Sequence, residues 1–367
     1  MSQILHPLTL LLAIALMVCI GLIVYLYRKL QKQTEGSHKY KPPVVELTLP
    51  DPEDVLGFHH SEDSESVDTE HAELLANSTF HKFVPKQFVH HFTKEGKHKL
   101  VLGQADEDDV AILFCDIRGF TSLSENMSPQ ELMNFLNSYF LRMSEPIHRH
   151  RGFIDKFIGD AIMSLFDHPG GKAKDKADDA LLAALDLRKT IAIYNQHRAN
   201  SGYPPVDIGI GIHYGPVILG TIGSHVRMDT TVIGDSVNIA YRLETLTPIY
   251  GCDIIVSSQL LECTSMAPTT YRLLDWVRVK GKKNPVEIYE VMTHFAPEQV
   301  AIKQQTSPLI QAGLAARKQQ NWAKATSCFK SAQAIDPNDK VIQHHINQCN
   351  KLRTQPIPEK WDGSVIL

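Results

Sequence analysis

The sequence predicts a mixed α/β or α+β domain, set behind a membrane-spanning helix and followed by a helical tail. Three observations predict this. Between residues 106 and 293, short apolar runs of strand-forming residues interleave with stretches whose apolar positions recur at helical spacing. Near the start, Leu8 to Tyr27 is a run of twenty residues without a charge. Near the end, residues 305–352 return to helical spacing.

The elements are justified in chain order. The run "LTLLLAIALMVCIGLIVYLY" (8–27) matches the roughly 20 apolar residues needed to cross a bilayer core. Arg28, Lys29 and Lys32 follow it and no Lys or Arg precedes it, which places the basic flank in the cytoplasm and the N-terminus outside. A cleaved signal peptide needs a charged front and a small-residue cleavage site, and neither is present. Cys19 sits mid-span after "LMV", not after the small residues of a lipoprotein site. Residues 33–70, rich in Pro, Ser, Asp, Glu and His, read as a flexible linker. A helical lead-in over 72–105 carries Leu74, Leu75, Phe83, Phe88, Val89 and Phe92, broken at Pro85, and "DEDD" (106–109) marks the edge of the main domain.

Within that domain, Val110–Cys115 is a continuous apolar run suited to a strand covered on both faces. Ser128, Pro129 and Glu131 form a capping box with proline at the first helical position, and Leu132, Phe135, Leu136, Tyr139, Phe140 and Met143 share one face of the helix that follows. "GFIDKFIG" (152–159) and "AIMSLF" (161–166) read as a hairpin with Gly159-Asp160 at its tip. A long helix over 174–198 precedes "VDIGIGIHYG", "PVILGTIG" and "TTVIG" as strands, "DSVNIAYRLETL" as a helix, and "CDIIVS" and "VEIYEV" as the last strands.

Composition narrows the function classes. At 367 residues the chain has room for one or two sizeable cores. A net charge of −4 with 21% charged residues excludes bulk binding to a nucleic-acid backbone. Six cysteines without a CxxC pair read as buried thiols in a reducing compartment. The pairs His59-His60, His90-His91 and His344-His345 point apart on any regular element and read as solvated surface.

Two carboxylates carry the chemistry. Asp116, in "FCDIRGFTSLSEN", closes the first strand, and Asp160 sits at the hairpin tip. Singly, each reads as a turn residue. Together, flanked by Gly119 and Gly159, they offer two acidic groups at element ends where backbone can approach a ligand. Hard divalent cations use one or two carboxylates plus substrate phosphates, and two such ions can activate an attacking oxygen and stabilise a departing one. The loop Gly119, Phe120, Thr121 would present backbone N–H groups to phosphate oxygens.

In order and spacing, "FCDIRGFTSLSE", "DKFIGDAIMSLF", "GIGIHYGPVILGTIG" and "TTVIGDSVNIAYRLE" resemble the class III nucleotide cyclase catalytic domain, from about residue 108 to 293. The resemblance implies an α+β fold with a ferredoxin-like βαββαβ core and two subunits head to tail around shared ATP clefts. It implies two Mg²⁺ or Mn²⁺ ions per site, held by Asp116, Asp160 and the Ile117 carbonyl. Lys156 matches the lysine that adenylate cyclases aim at adenine N1, where guanylate cyclases carry glutamate. Thr231 matches its partner position, which is threonine or serine in the branch that resembles bicarbonate-responsive cyclases. Asn238 and Arg242 match the transition-state pair, Lys280 the lysine reaching the terminal phosphates, and Arg227 a further phosphate contact.

The tail "GLAARKQQNWAKATSCFKSAQAIDPNDKVIQHHINQC" (313–349) resembles a tetratricopeptide repeat, with Trp322, Ala325, Phe329, Ala332 and Pro337 at the expected offsets. A single repeat cannot bury both faces, so it must pack on the main domain, on its dimer mate or on a protein partner. A plain helical hairpin capping the domain fits equally. The expectation is an adenylate cyclase working as a homodimer on the cytoplasmic side of the inner (plasma) membrane. Its rivals are a guanylate cyclase, which Lys156 opposes, a diguanylate cyclase, which lacks its GGDEF-like turn here, and a catalytically silent scaffold, although no metal or transition-state position is vacant.

Overall fold

Alternation along one strand organises the molecule. In β1 (Ala105–Ile117), Ala111, Leu113, Cys115 and Ile117 point to one side of a sheet, while Val110, Ile112 and Phe114 point to the other, and all seven are buried. The period of two thus feeds two separate cores. The strand also takes in the acidic "DEDD" stretch, whose residues alternate between exposed and half-buried. The computed structural model describes residues 102–224, 226–278, 285–357 and 361–366, with short pieces at 47–48, 84–85, 87–88 and 99–100. The expected span over 8–27 and Lys280 lie outside the described residues, as does the linker over 33–70 apart from a two-residue ladder of Leu47–Thr48 with Lys99–Leu100. Among the described residues no helix is long and apolar enough to cross a membrane.

After a short helix α1 (Phe120–Ser124), α2 (Pro129–Arg149) starts at the expected capping box. Ser128 Oγ accepts from the Glu131 amide at 3.3 Å, and the Glu131 carboxylate accepts from the Ser128 amide at 2.8 Å. Then come β2 (Phe153–Ile158) and β3 (Ala161–Phe166), joined at Gly159-Asp160, followed by α3 (Ala173–Asn200) and β4 (Ile208–Gly223). The order β2-β3-β1-β4, antiparallel throughout, is a βαββαβ core. Helices α2 and α3 cover one face, where Phe135, Tyr139 and Met143 of α2 and Ala180, Ala184, Leu187 and Ile191 of α3 belong to one buried cluster.

The pattern "IGIGI" in β4 explains the other face. Ile208, Ile210 and Ile212 join the α2–α3 core, so Gly209 and Gly211 fall on the opposite side, where α4 (Asp235–Tyr250) lies against the strand. A Cβ on Gly211 would sit 2.1 Å from the Glu244 amide nitrogen, so only glycine lets the helix approach this closely. The two strands expected at 206–215 and 216–223 are one, running through Pro216, and β5 (Met228–Ile233) pairs with the outer half. Phe88 of the lead-in is buried against Phe153, with ring centroids 5.7 Å apart.

Beyond β4 the sheet continues through β6 (Ile254–Ser257), β7 (Tyr271–Arg278) and β8 (Val286–Val291), in the order β4-β6-β8-β7, with the short helix α5 (Ser258–Cys263) between β6 and β7. The tail forms α6 (Pro297–Lys318), α7 (Trp322–Ile335) and α8 (Lys340–Arg353), and β9 (Val365–Ile366) adds parallel to β7. Of the placements open for the tail, packing on the main domain is the one found. Leu314, Phe329, Ile342 and Ile346 share one buried cluster with Leu243 and Leu246 of α4 and with Ile255, Leu274 and Ile288 of the sheet. The described cysteines, Cys115, Cys252, Cys263, Cys328 and Cys349, are free thiols. His345 differs from the surface reading. It is fully buried, its Nε2 2.9 Å from the Leu274 carbonyl.

Candidate active site

The C-terminal end of β1 and the β2–β3 turn bring Asp116 and Asp160 to one amide. The Ile117 N–H donates to Asp116 Oδ1 at 2.9 Å and to Asp160 Oδ2 at 3.3 Å. Oxygens of both carboxylates therefore converge on one point. Burial, followed by the hydrogen bond and repulsion from Asp116, pushes the Asp160 carboxyl up to about 7. Two acids crowded in this way fit a divalent cation, because a bound positive charge removes the repulsion and hard oxygen donors are what magnesium and manganese prefer.

Gly119 adopts a left-handed conformation (φ +66°) and opens α1, whose first turn has no side-chain cap, with open space around the glycine. Phe120 and Thr121 begin that helix, so the three-residue loop of the sequence reading becomes a glycine followed by a helical turn. Gly159 mirrors it at φ +64° on the hairpin side.

Two residues that the sequence reading missed hold this corner. Arg118 donates to Asp207 at 3.0 Å and to the Cys252 carbonyl at 2.5 Å, locking the backbone between Ile117 and Gly119 onto the ends of β4 and β6. Glu244, on the sheet-facing side of α4, is buried, and burial with the nearby Asp116 pushes its carboxyl up to about 8. A half-buried arginine or a buried acid on a helix reads from sequence as ordinary surface charge, so no local signal could have found either.

A second cluster forms on β2 and β5. Lys156 Nζ donates to Thr231 Oγ1 at 2.9 Å, joining residues 75 apart in sequence. Arg227 is exposed in the turn between β4 and β5, where the Ser224 and Arg227 backbones bond each other. Asn238 and Arg242 lie one turn apart on α4, exposed and half-buried respectively, and the ring of the neighbouring Tyr241 packs edge-on to Phe114 at 5.5 Å. Among the described residues, no hydrogen bond or ion pair joins the Lys156–Thr231 cluster to the Asp116–Asp160 cluster.

The chain belongs to the adenylate and guanylate cyclase catalytic domain family, whose model matches residues 102–294. It is 42% identical over 219 residues to an adenylate cyclase of Anabaena cylindrica, a match covering 58% of this chain and 42% of that protein. The terminal-differentiation specific adenylate cyclase of Dictyostelium discoideum is 35% identical over 274 residues, 74% of this chain and 13% of that protein. This chain thus spans less than half the length of either relative. The structure of a bacterial light-regulated adenylyl cyclase superposes with a TM-score of 0.54 at 26% identity, over 68% of this chain and 70% of that one.

Proposed function

We propose that this chain is an adenylate cyclase, converting ATP to 3′,5′-cyclic AMP and pyrophosphate at two equivalent sites between two copies of itself. The observation that carries the reading is the Lys156–Thr231 hydrogen bond; in this reading it directs an ammonium donor to adenine N1, which can accept. Guanine carries a hydrogen at N1, so guanine would face donor with donor, a mismatch that polar sites reject strongly.

The residues divide the chemistry. Asp116, Asp160 and the Ile117 carbonyl would hold two Mg²⁺ or Mn²⁺ ions, which supply Lewis acidity to the ribose 3′-oxygen and to the phosphates. The 3′-hydroxyl loses its proton to water, its oxygen attacks the α-phosphorus, and the bond from that phosphorus to the α,β-bridging oxygen breaks, releasing pyrophosphate. The uncapped turn at Gly119, Phe120 and Thr121 offers N–H groups to phosphate oxygens. Arg242, permanently charged and planar, meets the charge developing on the α-phosphoryl oxygens, and one such donor is worth about 3 kcal/mol in a transition state. Asn238, a turn away, orients the ribose. Arg227 and Lys280 are assigned to the outer phosphates.

A second copy is supported by exposed apolar side chains on β2, β4, β5 and α4, the elements of the base cluster and their neighbours. Phe157, Ile158, Ile218, Ile222, Ile233 and Tyr241 are each between 41% and 50% exposed. The tail is read as one tetratricopeptide-like unit, supported by Gly313, where a Cβ would lie 2.6 Å from the Phe329 ring. The anchor over 8–27, with the catalytic domain on the cytoplasmic side, rests on its uncharged run and basic flank.

The test is direct assay of the purified chain with ATP and with GTP, each with Mg²⁺ and Mn²⁺, measuring both cyclic products. ATP is expected to be turned over faster, and Lys156→Glu to lose that activity. Comparable rates with both bases would overturn the assignment.

A further inference from the structure

The strand that carries Lys156 is not regular. In the β2–β3 pairing, Ile154 faces Ser164 and Lys156 faces Met163, which leaves Asp155 as an extra, bulged residue. In a regular strand, neighbouring side chains point to opposite faces. Here Asp155 and Lys156 turn toward each other, with Lys156 Nζ 3.4 Å from Asp155 Oδ2. The Asp155 side chain has no exposed surface, and neither of its oxygens has a hydrogen-bond partner among the described residues. An unsatisfied buried carboxylate is costly, so its cationic neighbour Lys156 is the natural place to look for its purpose.

We propose that Asp155 is a positioning residue for base recognition, acting through Lys156 to fix the direction in which its ammonium group meets the purine. The inference rests on the adenylate cyclase reading and deepens it. A lysine ammonium has three N–H donors on a flexible stem, and the Lys156 side chain is about a third exposed, at 34%. One donor is taken by Thr231 Oγ1 at 2.9 Å. With Thr231 alone, the group could still swivel about that bond. The Asp155 carboxylate, 3.4 Å from Nζ, draws the ammonium group toward the buried side and so limits that swivel. Burial raises the Asp155 carboxyl to about 6, with the Lys156 charge opposing the rise, so at neutral pH it remains mainly a carboxylate able to serve as counter-charge. Preorganisation of this kind favours the base that accepts over the base that donates.

The test compares the full chain with Asp155→Asn, an isosteric change that removes the charge. Three quantities are read: KM and kcat for ATP and for GTP, inhibition by inorganic tripolyphosphate, which has no base, and the unfolding midpoint. The expected result is an ATP KM raised by about tenfold and an ATP-over-GTP preference reduced by about tenfold, with tripolyphosphate inhibition unchanged. In a Lys156→Met background, Asp155→Asn should produce no further loss of base preference. Unchanged ATP kinetics and base preference in Asp155→Asn would overturn the proposal. So would tripolyphosphate binding that weakens in parallel with ATP, or a variant that fails to fold, since either makes Asp155 structural. A wild-type chain that forms no cyclic AMP overturns the functional reading itself, whereas an active wild type with an indifferent Asp155→Asn overturns this inference alone.

Discussion

Arg317 of α6 and Asp275 of β7, neither with any exposed surface, pair at two points across the junction between the tail and the sheet. Asp275 also accepts from the Tyr250 hydroxyl at the end of α4 at 2.8 Å, and Arg317 reaches the Gly363 carbonyl just before β9 at 3.2 Å. Nearby, Arg272 of β7 bonds Glu290 at 2.5 Å and, at the same distance, Asp339 at the start of α8. The tail therefore completes the buried polar interior of the main domain, and α4, which carries Asn238 and Arg242, is held at its far end by the same network.

Removing one partner of a buried pair strands the other charge, at a typical cost of about 3–5 kcal/mol. Arg317→Ala should lower stability by that order in urea unfolding followed by circular dichroism. Replacing both partners, as Arg317→Met with Asp275→Asn, should recover most of the loss, because no unpaired charge remains. A loss below about 1 kcal/mol for Arg317→Ala would show that water reaches Asp275.

This network also explains what the sequence concealed. Strand β7, "YRLLDWVR", was not expected, because Arg272 and Asp275 break its apolar pattern and their partners lie on β8, α4 and the tail helices. Arg118, Asp155 and Glu244 escaped for the same reason. A buried charge looks like a surface charge until its distant neighbours are placed. By contrast, β1, the Ser128 capping box, the Gly159-Asp160 hairpin and the helix starting at Asp235 were legible, since each is specified by residues within a few positions of one another. The convergence of Asp116 with Asp160 follows from the antiparallel pairing of β1 and β3 alone.

The acidic corner makes stability depend on pH in a definable window. In the metal-free native state Asp160 binds its proton up to about 7 and Glu244 up to about 8, whereas their unfolded values are 3.8 and 4.5. The native state then holds more protons than the unfolded chain, so stability falls as pH rises through these values. His213 and His345, buried neutral at about 4 and 3, act in the opposite sense, but only below their unfolded value of 6.5. Between about pH 6.5 and 8 the carboxylates act alone among these groups. The metal-free protein should lose thermal stability across that window, and Mn²⁺ should raise the midpoint more at pH 8 than at pH 6.5. An equal shift at both pH values would mean that cation and proton do not compete at Asp160.

Composite sites can be tested by mixing damaged chains. If Asp116 and Asp160 of one subunit face Lys156, Thr231, Asn238 and Arg242 of the other, a symmetric dimer has two equivalent clefts. Asp116→Ala and Arg242→Ala should each be nearly inactive alone. After full subunit exchange about half of the dimers are mixed, and each of these joins one doubly damaged cleft to one intact cleft, so about a quarter of wild-type activity should return. Lys156→Glu mixed with Arg242→Ala is the control. Both changes fall on the same side of the cleft, so every cleft of a mixed dimer stays damaged and no activity should return. If the first mixture remains as inactive as its parents while energy transfer between labelled chains shows that exchange is complete, the clefts are not shared, and the two clusters must instead serve a site within one chain.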